Sequence, residues 1–435
     1  MSKTSASKRP PRPKSAVSTG VGMAGLAGLA VWLGIALTFG MDGPYSALMN
    51  VAFCGVPMML WSLIIDRVHR NPTTGIDWDS GPRPLRGVLE ISLTKLAGLW
   101  ATWALIAAIY AVARFYWQGN YLFAMKLFAA AALPLFLLSI PYVIWLDRRL
   151  IEPRDGAWAL GAMMMGREDY DASAIHSHFR SWAVKGFFLA FMISIVPSGF
   201  GRVINADFGL IQSNPVALVQ WLITLMFVID VAFATVGYLL TLKPLDAHIR
   251  SATPYAAGWA AALMCYPPFI LMNPGGPLDY QSNDNHWIFW LEGHPVLLGL
   301  AGAVLVGLTA IYAWATIAFG LRFSNLTDRG ILTHGPYAFT KHPAYLSKNL
   351  FWWLSSLPFL MTGNTLTDTL RNTALLAVVS GVYFWRAKTE ELHLGADPDY
   401  RDYADWMGKY GVITRALTWR RARQSPSSPA SVAKQ

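Results

Sequence analysis

Long apolar runs separated by short polar segments dominate the chain. A membrane-spanning helix needs roughly 20 predominantly apolar residues. Seven runs meet that length plainly: residues 17–40, 45–65, 88–113, 121–146, 183–203, 215–242 and 295–320. Three are weaker. The run 255–272 carries Pro267 and Pro268, and 344–361 and 372–385 are short and joined by a small polar turn around Gly363 and Asn364. The last pair reads as a helical hairpin that crosses the bilayer wholly or in part. The pattern thus predicts an all-α, polytopic integral membrane protein of about ten transmembrane helices. Lys3, Lys8, Arg9, Arg12 and Lys14 make a basic n-region, but the apolar run behind them is too long for a cleaved signal and reads as an uncleaved first helix.

Charge orients the spans. Lys and Arg concentrate in cytoplasmic loops of membrane proteins. With the N-terminus inside and ten crossings, only Arg114, Lys126, Arg202 and Arg371 fall outside and Lys95 within a span. The other 30 of the 35 basic residues fall inside. Adding or removing one crossing would invert every later loop, so the distribution predicts that both termini are cytosolic. The membrane is then the bacterial inner membrane, or the endoplasmic reticulum in a eukaryote. The net charge of +10 is largely this topology signal, with anionic head groups as a secondary attraction. Nucleic acid is not an expected partner, because no single basic patch is concentrated along the chain.

Composition fits the same picture: 54% of residues are hydrophobic and only 14% charged, against about a quarter charged in soluble domains. Cys54 and Cys265 both lie in apolar runs, which excludes a disulfide scaffold and a cysteine metal site. No histidine spacing suits a metal; His176 and His178, two apart, face different sides of a helix. Residues 1–16 and 424–435 read as disordered tails. Region 17–290 carries no nameable motif or internal repeat. Its glycines at 20, 22, 25 and 28 suit close helix packing rather than phosphate binding, and the loop 147–182 suits an interfacial helix. Lys95 can snorkel from the end of its span to the interface. Asp230, alone in an apolar run, needs a partner or a water-filled cavity.

The chemistry-bearing segment lies within 295–415. A turn at Gly335, Pro336 and Tyr337 leads to Lys341, His342, Pro343, Tyr345 and Ser347. Pro343 suits a first helical turn, which puts Lys341 and His342 at a helix start. After the hairpin come Arg386, Glu390 and Glu391, then Tyr400 and Tyr403. Arg386 and Glu390 are four apart and share a helix face, where an intrahelical salt bridge is one reading of them.

At these residues the chain resembles the isoprenylcysteine carboxyl methyltransferase and phospholipid methyltransferase family. The resemblance covers under a third of the chain. Two positions depart from the family pattern: Lys341 stands where the family has Arg and Ser347 where it has Gly. Lysine keeps the charge but loses the bidentate fork. The resemblance implies a membrane-embedded transferase using S-adenosylmethionine at the cytosolic face on a membrane lipid or lipidated acceptor. It assigns Gly335, Tyr337, Lys341, His342, Pro343, Tyr345 and Glu391 to cofactor binding and Arg386 with Glu390 to the reacting centre. Membrane sterol reductases resemble the same region and would bring NADPH. A transporter is a third reading, against which stands the lack of repeats and of recurrent intramembrane charge.

Overall fold

A computed structural model describes residues 10–282, 286–361, 365–412 and 415. The chain is helical nearly throughout. In order the helices are α1 (Thr19–Phe39), α2 (Pro44–Leu60), α3 (Leu85–Val112), α4 (Tyr121–Asp147), α5 (Gly156–Met164), α6 (Ala172–Ile204), α7 (Phe208–Ser213), α8 (Pro215–Leu239), α9 (Ala256–Leu263), α10 (Trp287–Trp290), α11 (Pro295–Phe319), α12 (Pro343–Ser356), α13 (Leu366–Leu394) and α14 (Pro398–Tyr410). Two-residue strands β1 (Ser251–Ala252) and β2 (Thr327–Asp328) pair antiparallel and tie the segment after α8 to the segment after α11. In hydrocarbon every backbone polar group must be satisfied within the protein, which is why apolar runs of this length resolve as helices.

Seven helices are long and apolar enough to cross a membrane: α1, α2 with its continuation to Ile65, α3, α4, α6, α8 and α11. Small residues set their closest contacts. A Cβ on Gly28 would strike the carbonyl of Phe53 on α2, and one on Gly161 of α5 the carbonyl of Thr94 on α3. The core they enclose includes Leu29, Met58, Phe200 and Phe233, all fully buried.

The predicted run 255–272 is not a spanning helix. α9 has eight residues, about 12 Å at 1.5 Å per residue, far less than a bilayer's ~30 Å core. The chain nevertheless crosses there. Gly237, near the end of α8, abuts Phe323, just past the end of α11, so the two helices run parallel. At their other end Val219 of α8 clusters with Trp287 and Leu305. Residues 256–282 make the return beside α13. Gly258 meets Thr389 near one end of α13, while the carbonyls of Asp279 and Ser282 accept from Arg371 and Asn372 near the other. Irregular backbone at this depth is tolerated because protein covers it.

The hairpin forms as α12 and α13. α12 has 14 residues and α13 has 29; α13 opens on a capping box between Thr365 and Asp368. The turn around Gly363 and Asn364 lies outside the described residues, as do residues 1–9 and 424–435. Within the expected tail 1–16, residues 10–16 are docked instead. Trp406 Nε1 donates to the carbonyl of Pro10, Thr333 Oγ1 to that of Pro13, and Ala16 N to that of Ile331. Both described ends of the chain therefore meet at one end of the bundle, the end with most of the basic residues. Lys95 does not snorkel: it is 4% exposed and its Nζ lies 2.6 Å from Asp147 and 3.1 Å from Asp155. The loop 147–182 contains α5, whose first amides are capped by Asp155 and which packs on α3 with Ala157 to Ala162 buried.

Candidate functional site

The basic end of α11, α12 and α13, with α9, lines a cavity of about 1000 Å³ that is partly open to solvent, and a smaller compartment of about 570 Å³ adjoins it. Tyr337, Lys341, His342 and Glu390 line both compartments, so the two sequence motifs meet at their junction.

Local chemistry explains that convergence. Gly335 holds φ at +57°, a left-handed conformation that glycine adopts without penalty. It starts the short 3-10 turn Gly335–Ala338, and the turn drops Tyr337 into a buried position. The hydroxyl of Tyr403 on α14 donates to the carbonyl of Tyr337 at 2.7 Å, which pins the turn. Pro343 occupies the first turn of α12, needing no amide partner there. His342 consequently sits at the start of that helix, its ring stacked on Tyr345 with centroids 5.7 Å apart.

The two adjacent glutamates divide their work. Glu391 faces Lys341 at 2.5 Å, Lys388 at 2.9 Å and the Nε2 of His342 at 3.0 Å. The His342 hydrogen bond, followed by the two lysines, holds its carboxyl well below the usual carboxylate range. Glu391 does not line either compartment; it braces the residues that do. Glu390 does line them, accepting from the Tyr345 hydroxyl at 3.0 Å. Its side chain is 38% exposed, so it links the cavity to water.

Arg386 and Glu390 share a face, as their spacing requires, but they form no intrahelical salt bridge. The Arg386 guanidinium is buried, donates to Asn325 Oδ1 at 3.2 Å, and lies 5.2–5.6 Å from the ring centroids of Tyr266, Tyr345 and Tyr383. A desolvated cation over aromatic faces gains about 2 kcal/mol or more. Every residue of the predicted reacting centre and of the predicted cofactor set thus lies at or directly behind this cavity, Gly335 and Pro343 through the backbone they shape.

Sequence reasoning missed Tyr266, Tyr312, Thr316, Asn325, Lys348 and Tyr383, which also line the cavity. Most come from aromatic or hydroxyl residues in apolar runs, where they carry no signal. Asp230 lies just behind this wall, accepting from Thr316 Oγ1 at 2.5 Å. His393, at the end of α13, bonds Ser251 through Nε2 at 2.9 Å, and burial pushes it below its ordinary value, so it is a neutral wall residue. Among the described residues no group of three or more acidic, histidine or cysteine side chains could hold a metal.

One family model, described as a protein of unknown function (DUF1295), matches residues 303–407, from α11 into α14. The match therefore falls on the segment that builds the cavity. No curated protein and no solved structure matches the chain.

Proposed function

We propose that this protein is a membrane-embedded, NADPH-dependent reductase that saturates a double bond in a lipid, working from the cytosolic face. The observation that carries the reading is the charge of the larger compartment. Lys341 and Arg386 line it with a single lining carboxylate, Glu390, and Lys341 reaches the smaller compartment as well while pairing with Glu391 behind the wall. Cations in a low-dielectric site favour an anionic cofactor and disfavour a sulfonium. The family whose model matches is also associated with steroid 5-alpha-reductase-like membrane proteins.

The residues present fit such a cofactor. The smaller compartment carries Lys341 and the hydroxyl of Tyr400, which is buried and finds no hydrogen-bond partner among the described residues. Burial keeps that phenol protonated, so it is a spare donor for a phosphate or ribose oxygen. NADPH, when bound, supplies a hydride. Tyr345 is the proton donor for the neighbouring carbon, since it lines the larger compartment and its hydroxyl is held by Glu390, which lines both. Glu390 then returns a proton to Tyr345 from water. Arg386, beside the Tyr345 ring, stabilises negative charge that develops near the phenol oxygen during that transfer.

A second reading, methyl transfer from S-adenosylmethionine, is favoured by Glu390 itself. A carboxylate beside the rings of Tyr337 and Tyr345 suits a sulfonium. Thermal unfolding of the purified protein with each cofactor separates the two, because a ligand that binds only the folded state raises apparent stability by mass action. The reductase reading expects a rise with NADPH and none with S-adenosylmethionine or its demethylated product. A rise with the methyl donor alone assigns the cavity to methyl transfer.

A further inference from the structure

Lys348 stands in the second turn of α12, on the face that lines the larger compartment. Its Nζ lies 5.2 Å from the ring centroid of Trp352, 5.4 Å from Tyr312 and 5.5 Å from Tyr383. An ammonium has three N–H donors and no acceptor. Among the described residues this one makes no ion pair and no hydrogen bond; the three rings are its company. Asp230 acts on it only at longer range, being engaged by Thr316 behind the wall.

The other lining charges are already answered. Lys341 is met by Glu391, Arg386 by Asn325 and three rings, and Glu390 by Tyr345. Lys348 is thus the lining cation that spends none of its donors on the described residues, and a charge walled by rings without acceptors is costly enough to call for one. A single point-charge ammonium matches one negative charge, not a phosphate dianion, which calls for several donors or an Arg fork. Elsewhere in its lining Ala262, Phe319 and Phe323 give the same compartment apolar surface.

We propose that Lys348 is the recognition residue for a lipid acid, its ammonium pairing with the carboxylate while the apolar surface covers methylenes of the chain. The proposal rests on reading this compartment as the substrate site, and it narrows the substrate to a long-chain carboxylic acid.

The test uses the full chain in nanodiscs of phosphatidylcholine, with parinaric acid, a fluorescent long-chain acid, and its methyl ester as probes. Energy transfer from tryptophan reports binding without any turnover. The expected result is at least tenfold tighter binding of the acid than of the ester. Lys348→Met should erase that preference while ester binding stays unchanged, and Lys348→Arg should keep most of it. Oleate should displace the probe, whereas acetate and lysophosphatidate at equal concentration should not. Equal affinity for acid and ester in the unaltered protein overturns the proposal without any variant. So does a preference that survives Lys348→Met, or stronger displacement by acetate or lysophosphatidate. Cofactor binding is followed separately by thermal unfolding. Loss of the acid preference with the NADPH response intact defeats this proposal alone, while loss of the NADPH response defeats the reductase reading.

Discussion

The Tyr345 hydroxyl is the smallest feature on which the proposed chemistry turns. Tyr345→Phe keeps the ring that stacks on His342 and flanks Arg386 but deletes the proton donor. Turnover of that variant should fall by about 10²–10⁴, the usual worth of a positioned acid, with the cofactor response in thermal unfolding retained. Near-normal turnover would move the acid to another residue. Glu391 makes a different prediction, about pH. Its carboxyl is depressed in the folded protein, so its contribution is fully present above the ordinary value of 4.5 and is lost as pH falls below it. Glu391→Gln should cost about 1.5–3 kcal/mol at neutral pH, and the gap to the unaltered protein should begin to narrow as the pH is lowered from 4.5 toward 3. Thermal unfolding across that range measures both. At this scale the sequence motif located the Glu pair and His342, because charged residues at short spacings stand out from apolar surroundings. It could not divide Glu390 from Glu391: adjacent positions on a helix point about 100° apart, and only the packed neighbours show that one faces the cavity and the other the lysines. The Arg386–Glu390 bridge, one reading of that spacing, does not form: the guanidinium lies instead among Tyr383 of its own helix and Tyr266 and Tyr345 of other segments.

Among the helices, backbone contact at glycine decides what can pack. Gly161 places α5 so close to α3 that any side chain there meets the Thr94 carbonyl. Gly161→Val should destabilise by about 1–3 kcal/mol, as overpacking does, lowering the melting temperature in detergent, whereas Gly81→Val, with open space around it, should not. The seven long helices were legible because length and hydropathy alone determine them. The return through 256–282 was not legible as an element. Its eight-residue helix and its proline pair signal a break, but they do not say that the broken chain still reaches the other side. That follows from α8 and α11 being parallel, a long-range fact that no local pattern holds. The docking of residues 10–16 was invisible for the same reason: its polar sequence reads as solvated, and its partners lie more than 300 residues away.

For the whole molecule, the meeting of both ends at one face makes topology testable. Reporters fused before Met1 and after Gln435 should be active in the same compartment, and a reporter inserted at Asn120, between α3 and α4, should be active in the other. Opposite results at the two ends would mean an odd number of crossings. The return beside α13 bears finally on how this protein is made. Chains are inserted into membranes from the N-terminus onward, yet the irregular stretch 256–282 finds its covering helix only after residue 366 has been synthesised. Until then its side away from α6 is uncovered and the carbonyls of Asp279 and Ser282 lack their donors Arg371 and Asn372, a cost of several kcal/mol for each group left unpaired in lipid. A nascent chain halted after α11 is accordingly an unfinished membrane protein with an open wound in its middle, and protease cleavage within 256–282 should mark such truncated chains while sparing the full-length one.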